Sequence, residues 1–410
     1  MNGTHRVNVQ FFSNKGSPGN LLKSSCACYN IVTTIKVGLF LMAMNRNNFI
    51  KNIFLAGSAG LMALSGFSWL LKACTPKDIV TDEPDKDPEE EPISWQPAYA
   101  KLEAEGKLTE RIEKAYSIFE DCALCPRQCG ENRLAGETGF CQTTDTAVVF
   151  SRQPHFGEEV PLVGSYGSGT IFFSNCNLRC VFCQNYPLAH HGRGNKVSDE
   201  EIAEMMLDLQ RKGCHNINLV TPTHVMPNIL SATRIAHKNG LDLPLCYNTS
   251  GYERKEIIEL LDGIVDIYLP DMKFMDAKKA EKYNMAEAGD YPQRAKEAIQ
   301  EMHRQVGKLV TDDNYIAKSG LMIRHLVMPN RVSNPKEFVY WVAENLSKDT
   351  YVNIMSQYRV AFEAFEYDKI ARAITSEEFV EAMEWAKEAG LTNLDERSLG
   401  HLEIHRQRMD

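Results

Sequence analysis

Cys176, Cys180 and Cys183 stand in the run Phe-Phe-Ser-Asn-Cys-Asn-Leu-Arg-Cys-Val-Phe-Cys-Gln-Asn. Three thiolates can hold three corners of a four-iron cluster and leave the fourth iron without a protein ligand. That open iron can bind a small molecule and do chemistry, whereas a cluster held by four cysteines usually only passes electrons. Structural zinc favours C-x2-C pairs closed to four ligands, often with His, so this spacing speaks against it. With 12 Cys in 410 residues, the three-Cys pattern arises by chance about 0.01 times per chain. The bland alternative is a set of buried or disulfide-bonded cysteines.

A second group comprises Cys122, Cys125, Cys129 and Cys141. Four Cys so close in sequence form a closed ligand set, suited to a second 4Fe-4S cluster or to Zn. Both metals accept thiolates, so spacing leaves the choice open. Gly130, Gly136 and Gly139 lie in the loop that must return Cys141, and positive φ is expected there. Seven of the 12 cysteines lie from Cys122 to Cys183, which reads as metal ligation rather than a spread disulfide framework. Cys214 and Cys246 are expected to pack.

C-x3-C-x-aromatic-C, with Phe182 at the aromatic position, resembles the signature of the radical S-adenosylmethionine (radical SAM) enzymes. The resemblance covers residues 120–400 and is nearest to the branch related to pyruvate formate-lyase activating enzymes. It rests there on Cys-Ala-Leu-Cys-Pro-Arg-Gln-Cys at 122–129, Asn-Arg-Leu-Ala-Gly-Glu at 132–137 and Leu-Val-Thr-Pro-Thr-His at 219–224. The resemblance implies a 4Fe-4S cluster whose open iron chelates S-adenosyl-L-methionine. It also implies an oxidoreductase-type enzyme that cleaves this cofactor to a 5′-deoxyadenosyl radical, using a low-potential electron donor. The radical then abstracts hydrogen from an unknown protein or small-molecule substrate, a protein glycine if the activating-enzyme likeness extends so far. Group transfer to a cell-envelope molecule by the same radical is a second reading. An exported iron–sulfur or zinc-binding lipoprotein with an electron-transfer role is the alternative from another class.

The resemblance also points to strand-end residues around the cofactor. Many radical SAM enzymes carry Gly-Gly-Glu after the second strand; this chain has Thr221, Thr223 and His224 there as substitutes. Activating enzymes have Asp-Thr-Asn-Gly after the third strand; here Asn248 replaces the Asp, followed by Thr249. Asp271 and Lys273 match an Asp-x-Lys element, an acceptor for ribose or a cation and an ammonium for the carboxylate. Arg324 and His325 are candidates for ribose or adenine, although Arg324 is equally suited to pairing with a carboxylate.

These residues need elements to hold them. Short apolar strands are expected at 170–174, 217–221, 245–249, 265–270, 321–328 and 351–356, with helices between them. Ser198 with Glu201, and Thr375 with Glu378, read as capping boxes. Leu102, Leu108, Ile112, Tyr116 and Phe119 suggest one helix over 97–120. Six strand–helix units imply a parallel α/β sheet with right-handed crossovers. The resemblance implies an open (β/α)6 partial TIM barrel with a Cys-rich N-terminal extension, while pattern alone allows a doubly wound sheet. Either way the chemistry belongs at the C-terminal ends of the strands.

A hydrophobic content of 43% and a charged content of 24% are ordinary for a globular protein, and a net charge of −9 disfavours nucleic-acid partners. Residues 1–43 read as a mis-annotated or disordered leader before a start at Met44. Residues 44–74 read as a signal peptide or membrane anchor, with Leu-Lys-Ala-Cys ending at a candidate lipobox Cys74. Residues 75–94 form an acidic, Pro-rich linker, 95–165 a helical and Cys-rich extension, 166–400 the core domain and 401–410 a tail. The expected location is a membrane-associated or exported lipoprotein, with the cytoplasm as the alternative.

Overall fold

The computed structural model describes residues 95–284 and 288–409. The readings for residues 1–94, including Cys74, lie outside the described residues. Among the described residues no helix is long and apolar enough to cross a membrane.

The expected apolar runs form strands close to their expected places. In chain order the strands are β1 (Ala147–His155), β2 (Ser168–Phe173), β3 (Asn195–Val197), β4 (Ile217–Val220), β5 (Leu245–Thr249), β6 (Ile267–Pro270), β7 (Val310–Thr311), β8 (Ala317–Leu326) and β9 (Tyr351–Met355). Strands β2, β4, β5, β6, β8 and β9 are parallel neighbours in that order. A doubly wound sheet reverses its order at a switch point; this one never does, so it winds one way as a barrel does. It stays open, because β1 pairs antiparallel with β2 on one side, while β9 pairs with β8 on the other.

The helices are α1 (Ala98–Ala104), α2 (Lys107–Ser117), α3 (Asp199–Arg211), α4 (Met226–Lys238), α5 (Lys255–Leu260), α6 (Ala277–Tyr283), α7 (Tyr291–Val306), α8 (Pro335–Asn345), α9 (Ser376–Glu388) and α10 (Glu396–Gln407). Both capping boxes form: Glu201 N–H donates to Ser198 Oγ at 3.2 Å and Glu378 N–H to Thr375 Oγ1 at 3.3 Å. The single helix expected over 97–120 is two helices, because Gly106 adopts φ 73° and breaks the hydrogen-bond ladder. The expected tail from 401 is instead the body of α10, which Asp395 caps by accepting from Arg397 N–H at 2.8 Å.

Alternation along the parallel strands separates two layers of side chains. Outward residues such as Ile171, Phe173, Leu219, Leu245 and Ile323 join the large core beneath the helices. Inward residues Cys246, Ile267, Leu269, Met322 and Tyr351 form a smaller cluster with Leu162. Above that cluster the inward positions turn polar. Asn218 Nδ2 donates to Ser168 Oγ at 3.0 Å, Asn248 Nδ2 to Asn218 Oδ1 at 3.2 Å and Arg324 Nη1 to Asn248 Oδ1 at 3.3 Å. Thus a polar chain crosses the inner face from β2 to β8.

Gly320 lies in β8 with φ +123°, where a Cβ would sit 2.5 Å from Leu309 Cα. Gly320→Ala is expected to destabilise the fold by roughly 2–4 kcal/mol, read as a lower urea midpoint with an unchanged slope.

Candidate active site

The loop after β2 carries Cys176, Cys180 and Cys183, and it is held from several sides. Asn175 and Arg179 take positive φ, 73° and 54°. Asn177 Nδ2 donates to Tyr252 O at 2.7 Å, and Val181 N–H to Tyr283 O at 3.0 Å. Leu178 N–H donates to Cys176 Sγ at 3.3 Å. The His190 ring lies 3.1 Å from Cys180 O. Cys176 and Cys180 are buried and Cys183 half-buried.

Two adjoining cavities of about 420 and 260 Å³ share Cys180 and Cys183; Cys176 lines the larger. Burial pushes the Cys183 thiol up to about 12 and Cys180 further. Binding a metal centre would deprotonate such thiols. Among the described residues no three Cys, His, Asp or Glu side chains close around one ion position. Three soft ligands around a roomy cavity suit a multi-iron cluster rather than a single ion.

The cavity walls come from the C-terminal ends of all six parallel strands. Phe172 and the cysteines follow β2, Val220 and Thr221 end β4, and Asn248, Thr249 and Ser250 end β5. Asp271 and Lys273 follow β6, Arg324 and Leu326 end β8, and Asn353, Met355 and Gln357 belong to β9 and its exit. Lys273 Nζ lies 2.6 Å from Asp271 Oδ2. Burial works against the Lys273 ammonium, but Asp271 outweighs it and holds the pKa above the ordinary lysine value. The cavity therefore contains a fixed cation beside the cysteines.

A second charge system braces the opposite wall. Arg324 forks onto Glu159, with Nε to Oε1 and Nη2 to Oε2 both at 2.6 Å, and also pairs with Glu158. Asn353 Nδ2 donates to Glu159 Oε1 at 2.8 Å. Burial raises the Glu158 carboxyl, but Arg324 and then His155 outweigh it and hold it down at about 2. Arg324 lines the cavity with its donors engaged by Glu158, Glu159 and Asn248, the pairing role open to it from the sequence.

Phe182, Thr221, Asn248, Thr249, Asp271, Lys273 and Arg324 all reach the cavities. Thr221 does so with φ 62°, at the sharp exit of β4. Phe182 meets Phe274 edge-on at 5.8 Å. Thr223, His224 and His325 line neither cavity. Arg324 faces inward, so its strand neighbour His325 faces out. It stacks on Phe338 at 4.3 Å, with Nδ1 2.6 Å from Met272 O. The His224 ring bonds to Ser174 O at 2.7 Å. Burial lowers both histidines to about 4. Thr223 donates to the buried Glu253 at 2.5 Å, and burial raises that carboxyl to about 7 despite its hydroxyl partners. Sequence reasoning missed Glu158, Glu159, Asn353, Gln184 and Gln357. The Glu-Glu pair looks like ordinary helix-start acid, and only its contact with a residue 165 positions away reveals it.

In comparison with known proteins, residues 170–315 match the Radical SAM superfamily model. The chain is 32% identical over 295 residues to an uncharacterized protein of Methanocaldococcus jannaschii, covering 69% of this chain and 79% of that one. Among solved structures it is similar to HydG, a maturase of the [FeFe]-hydrogenase, with TM-score 0.38 and 12% identity, covering 54% of this chain and 49% of that one. It is also similar to methylornithine synthase, with TM-score 0.32 and 15% identity, covering 55% and 69%.

The buried groups give a pH profile. His224 and His325 take up protons near 6.5 when unfolded but only near 4 when folded. The unfolded chain thus binds more protons between those values, and stability falls as pH drops through that window, by up to about 3 kcal/mol per histidine. Glu158 adds stability present above 4.5 and lost as pH falls toward 2. The buried Glu253 and Asp266 carboxyls, both raised to about 7, act in the opposite sense over the same window, so the histidine share is read as a difference. Urea titrations are expected to show the wild type losing stability relative to a His224→Gln/His325→Gln variant from pH 6.5 to 4; a difference that does not change with pH contradicts the burial assigned to these rings.

Proposed function

The chain belongs to the radical SAM superfamily, and on that footing we propose that this cavity is where S-adenosyl-L-methionine meets a 4Fe-4S cluster held by Cys176, Cys180 and Cys183. One observation carries the reading: the ends of six parallel strands bring those cysteines and the Asp271–Lys273 pair together around adjoining cavities of about 420 and 260 Å³. When bound, the reduced cluster supplies the electron that cleaves the sulfonium and releases a 5′-deoxyadenosyl radical, the general reaction of the superfamily.

The chain's own residues hold and orient. The three thiolates fix the cluster and leave one corner open. Lys273 presents a compact cation to the methionine carboxylate, and Asp271 both anchors that ammonium and offers an acceptor to ribose. Asn248 is tied to Asn218 and Arg324, so this strand end offers hydrogen bonds and no carboxylate for a cation. Arg324 acts through Glu158 and Glu159, fixing the far wall. Phe182 and Leu326 give the chamber apolar surface that excludes water.

We take the hydrogen donor to be a protein or small-molecule substrate. The likeness to pyruvate formate-lyase activating enzymes at 122–129, 132–137 and 219–224 favours a protein glycine. A low-potential one-electron donor completes the reaction. The signal-like run at 44–74 favours a membrane-associated or exported protein.

Anaerobic incubation of reconstituted protein with dithionite and S-adenosylmethionine is expected to release 5′-deoxyadenosine. Its absence from a cluster-replete sample favours the electron-transfer lipoprotein instead. Cys180→Ala is expected to abolish release and to lose the three-cysteine cluster while the domain stays folded. Lys273→Ala and Asp271→Ala are each expected to weaken cofactor binding about 10- to 100-fold at unchanged iron content, as loss of a charge-assisted contact predicts. Equilibrium binding that leaves both affinities at the wild-type value removes the pair from the cofactor site.

A further inference from the structure

We propose that Cys122, Cys125, Cys129 and Cys141 hold a second 4Fe-4S cluster, with the buried Arg133 as its counter-cation. The inference stands apart from the cofactor reading, because it concerns a different set of residues.

The chain between α2 and β1 is folded around these thiols. Gly130 N–H donates to Cys122 O at 3.1 Å and Cys122 N–H to Glu131 O at 3.2 Å, closing a tight turn. Gly130 and Gly136 take positive φ, 71° and 86°, as expected. Gly139 is needed for a different reason than expected: a Cβ there would sit 2.4 Å from Cys129 Sγ. The segment that returns Cys141 therefore passes directly against the Cys129 sulfur, and only glycine permits it.

Three of the four sulfurs have a backbone N–H group directed at them. The backbone N–H groups of Arg127, Glu131 and Thr143 donate to the thiols of Cys125, Cys129 and Cys141, each from two residues downstream. The first cluster loop repeats the device, with Leu178 N–H on Cys176 and Asn185 N–H on Cys183. Hydrogen bonds to sulfur stabilise thiolate and tune cluster potential.

Charge supplies the independent observation. Arg133 is 1% exposed. Its guanidinium donates to Thr144 O at 3.0 Å and His224 O at 2.7 Å, lies over the Phe119 ring at 4.0 Å and approaches Cys122 Sγ at 3.9 Å. Among the described residues none of these partners is a carboxylate. A buried guanidinium with only neutral neighbours is costly. Four thiolates on a metal centre provide the missing negative charge at the position where Arg133 meets Cys122.

Geometry separates cluster from zinc. Zinc draws four sulfurs to about 2.3 Å from one point. Among the described residues no three potential ligands close on one point, and this holds for the Cys176 set as well as for this one. Neither set converges as a single zinc requires, and the two sets share backbone N–H groups directed at sulfur from two residues downstream. Four protein ligands saturate the second cluster, so its role is electron transfer or local stability rather than substrate binding.

The test is metal content, which does not depend on cofactor cleavage. Fully reconstituted wild-type protein is expected to hold about eight irons and eight sulfides, and the C176A/C180A/C183A variant about four of each. The complementary C122A/C125A/C129A/C141A variant is expected to lose half the iron and keep an electron paramagnetic resonance signal that responds to S-adenosylmethionine. Arg133→Met is expected to shift the second centre's reduction potential to more negative values, read by redox titration of the triple variant. About four irons in fully reconstituted wild-type protein, or one zinc and no iron in the triple variant, overturns the cluster. An unmoved potential in Arg133→Met overturns the counter-cation.

Discussion

The architecture depends on how Arg324 is satisfied. It projects inward from β8 and is 15% exposed, facing Glu158 and Glu159 from the segment after β1. Isolated, any of these three charges would be intolerable in that position; together, with a fork geometry and with Asn248 and Asn353 taking part, they are compensated. The sheet is open in its backbone pairing, yet this group joins the β1–β2 edge to β8 and β9 through side chains. What a closed barrel does with a strand ladder, this chain does with an ion network. The gap that remains is the cavity.

That arrangement explains why the inner face is polar above and apolar below. Leu162 sits four residues beyond Glu158 and reaches the inner cluster with Cys246, Leu269, Met322 and Tyr351. The same short segment thus plugs the bottom of the chamber and charges its side wall. The polar chain from Ser168 through Asn218, Asn248 and Arg324 then sets the height at which the interior turns polar. Lys273 and Asp271 add their own pair on the next strand end: this pair faces the cavity, whereas Arg324 with Glu158 and Glu159 holds the wall.

The two cysteine groups are not independent ornaments of this scaffold. Arg127 Nε donates to Asn177 O at 3.0 Å, Arg179 Nη1 to Phe140 O at 3.3 Å and Asn175 Nδ2 to Gln142 O at 3.3 Å. Each bond joins a residue beside one cysteine group to a residue beside the other. The cluster loop after β2 has few backbone bonds of its own regular kind, and it borrows its rigidity from the turn-rich segment that precedes β1. Reordering either loop would disturb the other.

Much of this was legible in the sequence because it is local. Strand runs, both capping boxes and the cysteine spacing depend on neighbours within a few residues, and so they were placed close to where the structure has them. Strand alternation was also available, and it would have sent Arg324 and His325 to opposite faces; treating them as one element overlooked a rule of period two. Other features were out of reach. Nothing near Glu158 or Glu159 announces a partner on β8, and nothing near Arg133 announces that it will be buried between Cys122 and the carbonyl of His224. Residue type and short spacing determined which chemistry the chain could support. Only the tertiary structure decided which of those residues meet, because burial and charge compensation are settled between segments that the chain itself holds far apart.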